Sequence, residues 1–167
     1  SHRVLPEFRE FERLSTTVCN AALGPTMQRY LGSLSSRMTG IGYRKPSYIM
    51  QSSGGVMTPH DAQQRPANTL FSGPSAGVVG GLHVARLADT EDAITLDMGG
   101  TSTDVCLVSR GAVSMVHEKE IVGNPVRTPM VDVNSVGAGG GSIAWIDAGG
   151  RLKVGPQSAG AHPGPAA

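Results

Sequence analysis

Cysteine is almost missing from this chain: Cys19 and Cys106 are the only two in 167 residues, and they do not form a CxxC pair. A disulfide framework is therefore excluded in practice. Aromatic residues make up only 4%, so the core has to be packed from aliphatic side chains. Charge of one sign is also lacking: 14 basic against 13 acidic residues leave a net +1, spread without blocks. That pattern gives no electrostatic footprint for nucleic acid or a membrane surface. No apolar run approaches the roughly 18 residues that cross a bilayer, and no basic, apolar, small-residue series marks a secretory signal. The cytoplasm is the expected compartment. The five histidines show no HExxH or similar spacing, and GxxxxGK[ST] does not occur, so a histidine-built zinc site and a P-loop both lack support.

Glycine, by contrast, is abundant, with 23 residues beside 11 prolines in a chain that is 39% hydrophobic. The glycines arrive in clusters next to apolar segments, not in linker-like repeats, which suits a globular domain or part of a larger one. The most informative cluster is Asp97-Met-Gly-Gly-Thr-Ser-Thr-Asp104, set between Ala93-Ile94-Thr95-Leu96 and Val105-Cys106-Leu107-Val108. It reads as strand, glycine turn, strand, with a carboxylate at each end of the turn. Gly99 and Gly100 let the backbone approach a ligand and present amide hydrogens, while Thr101, Ser102 and Thr103 add hydroxyls, a combination suited to phosphate oxygens. Asp97 and Asp104 are candidates for holding a hydrated magnesium ion. A tight hairpin with a solvated polar tip is the plain alternative. Cys106, alternating with Val105 and Leu107, reads as a small core residue.

Elsewhere the periodicity predicts a helix over 17–37, with Val18, Ala21, Ala22, Met27, Tyr30, Leu31, Leu34 and Met38 on helical spacing and Gly24-Pro25 as a break or fresh start. Pro46 to Gln51 reads as a strand, Thr58-Pro59 as a helix cap and first turn, and Pro66 as that helix's limit. A further helix is expected over 72–87, where Ala76, Gly77, Gly80 and Gly81 would allow a very close approach to another backbone; without such an approach the glycines argue against a helix there. Residues 112–122 are expected to pair with 103–109, and 130–136 to form one strand running into Gly137-Ala-Gly-Gly-Gly-Ser142. Ile143–Asp147 and 152–154 make a hairpin through 148–150, and the tail from Gly155 reads as irregular. Because the GAGGGS run is followed by strand-like Ile143-Ala-Trp-Ile146 and not by a helix, it does not make a Rossmann fingerprint. Trp145 reads as a core or edge-strand anchor, His83 as packed or half-exposed, and Thr16, Thr17 and Asn20 as capping or substrate-side polar groups.

A small-residue helix followed by a DxGGT hairpin resembles the actin, sugar-kinase and heat-shock-chaperone ATPase superfamily, whose two α/β halves close over a nucleotide. More closely, VLPEFREFERLSTTVCNAAL, MQSSGGV, SGPSAGVVGG, DMGGTSTDV, VGAGGGSIAWIDAGG and VGPQSAGAHPGPA are similar to the hydantoinase/oxoprolinase family, essentially end to end. The resemblance implies an α/β, ribonuclease H-like mixed sheet with flanking helices, present as a partial domain. On this reading residues 1–167 are a central fragment carrying the connecting helix, the second phosphate loop and glycine-rich C-terminal hairpins. It implies that ATP and Mg2+ are the cofactors, with Gly99, Gly100, Thr101, Ser102 and Thr103 on the phosphates, Asp97 and Asp104 as catalytic and metal-holding carboxylates, and Gly137, Gly139, Gly140, Gly141 and Ser142 lining the same cleft. The implied activity is that of an ATP-dependent hydrolase or carboxylase, which phosphorylates a cyclic amide or ketone for ring opening or carboxylation, with a B-type partner subunit or domain. Asn134 departs from the histidine often found at its position, which puts a proton-transfer or metal role there in doubt. With the other half of the phosphate clamp outside these residues, the polypeptide alone is expected to be inert. Two competing readings are an ATP-gated actin-like or chaperone-like binding protein and a scaffold that has lost nucleotide binding.

Overall fold

The computed structural model describes residues 1–160, 162 and 164. The chain forms two compact units, one from Ser1–Val79 with Ser114–Val131, the other from Gly80–Val113 with Asp132–Ala167.

The first unit is built on α1, Glu10–Gly40, which runs through Pro25 without interruption. A proline inside a helix removes one backbone bond and disfavours the helix by roughly 3 kcal/mol. Both flanks of α1 are anchored separately, which offsets that loss. On the C-terminal side Leu31 is buried with Met57 and Ala62, against half-buried Met27, Leu34 and Ile49. On the N-terminal side the anchors are polar: Thr16 and Asn20 are buried while Val18 and Tyr30, expected on the inward stripe, are 58% and 60% exposed. Thr16 Oγ1 donates to the Glu12 carbonyl and accepts from the Arg127 amide at 3.0 Å. Asn20 Nδ2 donates to the Gln64 carbonyl and its Oδ1 accepts from the Ala67 amide. These residues bind backbone within the unit; they neither cap the helix nor stand free for a substrate.

The expected strand over 46–51 shortens to β1, Ile49–Met50, paired antiparallel with β2, Val56–Met57. α2, Pro59–Gln64, starts where the sequence placed it: Thr58 Oγ1 accepts from the Asp61 amide and Pro59 opens the first turn. Pro66 then begins a 3-10 turn, Pro66–Thr69. Ser52, fully buried, ties four segments together. Its amide donates to the Asn68 carbonyl, its carbonyl accepts from the Val131 amide and from Ser75 Oγ, and its Oγ accepts from the Phe71 amide. α3 is Ser72–Leu87, and Val79–Gly80, within it, is where the chain passes from the first unit to the second.

In the second unit β3, Ala93–Met98, pairs antiparallel with β4, Thr103–Ser109, in register from Ala93 opposite Val108 to Met98 opposite Thr103. The close approach expected of the small-residue helix is made at Gly81, to a side chain and not to a backbone: a Cβ added there would lie 2.5 Å from Thr95 Cγ2, whereas one at Gly80 would meet nothing within 4 Å. Cys106 and Val108 are buried on the face that carries Thr95, as expected for Cys106.

Residues 112–122 do not form one strand. β5, Ala112–Val113, is all that pairs with β4; β6, Met115–Val116, and the hairpin of β7, Lys119–Ile121, with β8, Asn124–Val126, belong to the first unit. Likewise 130–136 is two strands: β9, Met130–Val131, pairs with β6, whereas β10, Asn134–Val136, pairs with β4. Two- and three-residue ladders take their register from distant partners, and a single residue of slip exchanges the faces, so local alternation does not fix them. β11, Ser142–Ile146, and β12, Leu152–Ser158, form the expected hairpin. β12 continues to Ser158, four residues beyond its expected end and into the segment expected to be irregular. Residues 161, 163 and 165–167 of that tail lie outside the described residues. Among the described residues every strand pairing is antiparallel, in the order β10-β4-β3 with β5 beside β4 in the largest sheet.

Candidate functional site

The register of the largest sheet places Asp97 on β3 directly opposite Asp104 on β4, and Ser135 on β10 directly opposite Asp104. Directly opposed residues share a face with Cβ atoms roughly 5 Å apart, so one row across three strands reads hydroxyl, carboxylate, carboxylate. Ser135 Oγ donates to Asp104 Oδ1. Asp97 is exposed and Asp104 half-buried. Among the described residues no group of three or more His, Cys, Asp and Glu side chains is gathered tightly enough for a metal. A cation at this row would therefore be held by two carboxylates and its own waters. Ser135 was not singled out by its sequence; a polar residue in a short strand is unremarkable until the register is known. Asn134 pairs with Val105 and so lies on the opposite face of the sheet from Asp104.

The turn between the two strands is closed by the Gly99 amide, which donates to the Ser102 carbonyl at 2.9 Å. Against it lies the second glycine loop. The Gly140 amide donates to the Gly99 carbonyl at 2.9 Å and the Gly141 amide to the Gly100 carbonyl at 2.7 Å. Thr103 Oγ1 donates to the Ala138 carbonyl at 2.6 Å, so this hydroxyl joins the loops. Within the second loop the Gly139 amide donates to Ser142 Oγ and the Ser142 amide to the Gly139 carbonyl. The two glycine runs thus lie against each other, and their contact is backbone on backbone. A Cβ at Gly139 would stand 2.6 Å from the Gly99 carbonyl oxygen and 2.7 Å from the Ser102 nitrogen; one at Gly141 would stand 2.8 Å from the Gly100 carbonyl oxygen.

Gly100 is different. A Cβ there would meet nothing within 4 Å, and its φ is not left-handed, so nothing inside the chain requires glycine. Among the described residues the amides of Gly100 and Thr101 have no acceptor, and the Thr101 and Ser102 hydroxyls have no partner. One loop is accordingly a brace and the other presents unengaged donors. His83, expected to be packed or half-exposed, is exposed on α3, and His60 is exposed as well. Trp145 is 43% exposed on β11 and donates through Nε1 to the Gly155 carbonyl, as an edge-strand anchor would.

The family model for hydantoinase/oxoprolinase matches residues 13–167. The chain belongs to the hydantoinase/oxoprolinase family. Caprolactamase subunit alpha of Pseudomonas jessenii is 41% identical over 98% of this chain and 24% of its own length. 5-Oxoprolinase of Saccharomyces cerevisiae is 36% identical over 100% of this chain and 13% of its own. Two solved structures share the fold. The ATP-dependent caprolactamase from Pseudomonas jessenii superposes with a TM-score of 0.82 at 41% identity, over 98% of this chain and 24% of that one. Nucleotide-free acetone carboxylase superposes with a TM-score of 0.79 at 29% identity, over 95% and 22%. The chain therefore spans a quarter or less of the length of these hydantoinase/oxoprolinase relatives. The α/β fold expected from the resemblance stands, as a partial domain.

Proposed function

We propose that these residues are the phosphate-gripping part of an ATP-dependent enzyme that activates a cyclic amide or a ketone by phosphoryl transfer, for ring-opening hydrolysis or carboxylation. The observation that carries this reading is the pair of unengaged amides at Gly100 and Thr101, presented by a turn that a second glycine loop holds rigid. Donors fixed before a ligand arrives need no reorganisation when charge develops, the arrangement that makes electrostatic stabilisation effective. The residues fit the groups in question. Bare amides beside two hydroxyls suit phosphate oxygens, and a carboxylate pair suits Mg2+, which binds through one or two carboxylates and keeps several waters.

ATP, when bound, supplies the transferable phosphoryl group and its leaving diphosphate. The chain's own residues bind and orient. The Gly100 and Thr101 amides and the Thr101 and Ser102 hydroxyls hold phosphate oxygens. Asp97 and Asp104 hold the cation, with Asp104 turned by Ser135. Gly139, Gly140, Gly141 and Ser142 keep the turn in place, and Thr103 binds it to Ala138; the Gly137 carbonyl lies against Gly155 of β12, where a Cβ would stand 2.9 Å from it. Phosphoryl transfer depends on positioning and charge neutralisation more than on covalent chemistry by the protein, so no nucleophile is required from this set. The names of the relatives, caprolactamase, 5-oxoprolinase and acetone carboxylase, support the cyclic amide or ketone as substrate class. The subunit named in caprolactamase supports a B-type partner. Two thiols without a disulfide support a cytoplasmic setting.

The test is calorimetry of Mg-ATP binding to the full gene product, with Asp97→Ala in parallel. Binding weakened at least tenfold by the substitution supports the site; no binding, or binding indifferent to the change, defeats it. ATP turnover that rises with a hydantoin, oxoproline or ketone separates the enzyme from an ATP-gated binding protein.

A further inference from the structure

Four basic side chains line one cavity of the first unit. His2 and Arg3 come from the segment before α1, and His60, Asp61, Gln64 and Arg65 from α2 and its C-cap, around a space of about 500 Å3. Two guanidinium groups and two imidazoles thus face one carboxylate, in a chain whose net charge is only +1. Among the described residues neither the Arg3 nor the Arg65 guanidinium has an ion-pair or hydrogen-bond partner. Asp61 and Arg65 stand one helical turn apart, the spacing at which opposite charges ordinarily meet, and no ion pair joins them. The carboxylate is engaged on one side only: Oδ2 accepts from Thr58 Oγ1 at 2.7 Å, and among the described residues Oδ1 has no partner. A second cavity, of about 470 Å3, is lined by these same two residues and adds the Tyr48 hydroxyl and the Asn68 side-chain amide, both unengaged among the described residues.

The backbone beneath these groups is fixed. Asn20, buried in α1, bonds the Gln64 carbonyl and the Ala67 amide on either side of Arg65, and the Arg65 amide donates to the Asp61 carbonyl at 2.8 Å. Ala62, fully buried, sets α2 against Leu31 and Met57. In the segment before α1 the Val4 and Leu5 amides both donate to the Ser1 carbonyl at 2.9 Å, and Leu5 is buried. Charged groups carried on an ordered backbone have less freedom to lose on meeting a ligand.

We propose that this cavity binds a small amino acid whose amine and carboxylate lie at opposite ends of a short chain, the carboxylate on Arg3 and Arg65 and the ammonium on Asp61. The charges select the class. A guanidinium matches a carboxylate through paired N–H donors, and two of them line the cavity without partners of their own. A dianion such as phosphate would also meet the unengaged Asp61 oxygen, a like charge, whereas an ammonium satisfies it. Spacing selects the length: side chains one turn apart have their Cβ atoms about 5 to 6 Å apart, roughly the reach from nitrogen to carboxyl carbon in extended 4-aminobutyrate. Hydrolysis of a cyclic amide leaves an amine and a carboxylate at the two ends of one chain, so the ligand is of the kind that the proposed reaction releases. The charges of the cavity stand whether or not the glycine turn of the other unit binds nucleotide.

Saturation-transfer NMR on the full gene product, without nucleotide, tests the site with 4-aminobutyrate, butyrate, butylammonium and inorganic phosphate. Saturable binding of 4-aminobutyrate is expected, at least tenfold tighter than that of the other three. Arg65→Gln and, from the other segment, Arg3→Gln should each weaken it at least fivefold, so that one variant still reports if the other fails to fold. Asp61→Asn should weaken 4-aminobutyrate to a similar degree and leave butyrate no weaker than before, a divergence that a merely structural role would not produce. Absence of saturable 4-aminobutyrate binding overturns the proposal, as does binding that survives both arginine substitutions. Butyrate or phosphate bound as tightly as 4-aminobutyrate makes the cavity a plain anion site and overturns it too. Mg-ATP binding is measured separately in the same protein and can fail without altering these titrations, so the two readings fall independently.

Discussion

Asp97 faces Asp104 across adjacent antiparallel strands, two carboxylates in direct register. Like charges so placed destabilise a sheet by a few tenths to about 1 kcal/mol, the counterpart of what an opposite pair contributes. Asp97→Asn is therefore expected to raise the stability of the 167-residue chain in urea denaturation while weakening Mg-ATP binding by the full gene product at least tenfold. A substitution that lowered both would place Asp97 in the framework and not at a cation.

Gly139 and Gly100 should respond in opposite ways. Alanine at 139 would drive its Cβ into the backbone of residues 99 to 102, where no flexible side chain can yield, and is expected to destabilise by about 1 to 3 kcal/mol. Alanine at 100 meets open space and should leave the unfolding midpoint nearly unchanged while reducing nucleotide affinity. Paired denaturation and binding curves check both.

Ser52→Ala removes the acceptor of the part-buried Phe71 amide bond. An orphaned buried donor costs about 1 to 3 kcal/mol, so this part-buried one should cost about 1 kcal/mol, and the lost order should be read as faster amide exchange at Phe71.

Asp147 is held below the ordinary aspartate range chiefly by the bond its carboxylate accepts from the Arg151 amide, with further lowering by the Gly149 amide and the Arg151 guanidinium; desolvation acts the other way. A depressed folded value means that its contribution is complete above the unfolded value, near 3.8, and is lost as pH falls through the lower folded value. The β11–β12 hairpin should accordingly loosen only in strong acid. Asp147→Asn should remove that acid limb, as followed by carboxyl and amide chemical shifts.

Local patterns were legible in the sequence, and long-range ones were not. The cap at Thr58, the close approach at Gly81 and the DMGGTSTD hairpin depend on neighbours within a few residues or on the absence of a side chain, and each is where the sequence places it. The family motifs pointed to the residues proposed for phosphate. The strands over 112–136 depend on partners in different units, so alternation alone joined what the fold divides. Thr16 and Asn20 gave no hint of their partners because Arg127 is 111 residues from Thr16 along the chain. Ser135 became meaningful only when register set it beside Asp104.

The chain passes between the two units at 79/80, 113/114 and 131/132. No contiguous gene segment therefore encodes either unit. Expressing residues 80–167 would bring β6 to β9 along without α1 or Ser52, uncovering Met130 and Val131, which are fully buried in the whole chain. Expressing residues 1–79 would strip the Thr16 hydroxyl and the Ser52 carbonyl of the amides they accept. Dissection by truncation is thus expected to yield insoluble halves, and only an internal deletion of 114–131, rejoined by a short linker, could isolate the two glycine loops as a separate folding unit.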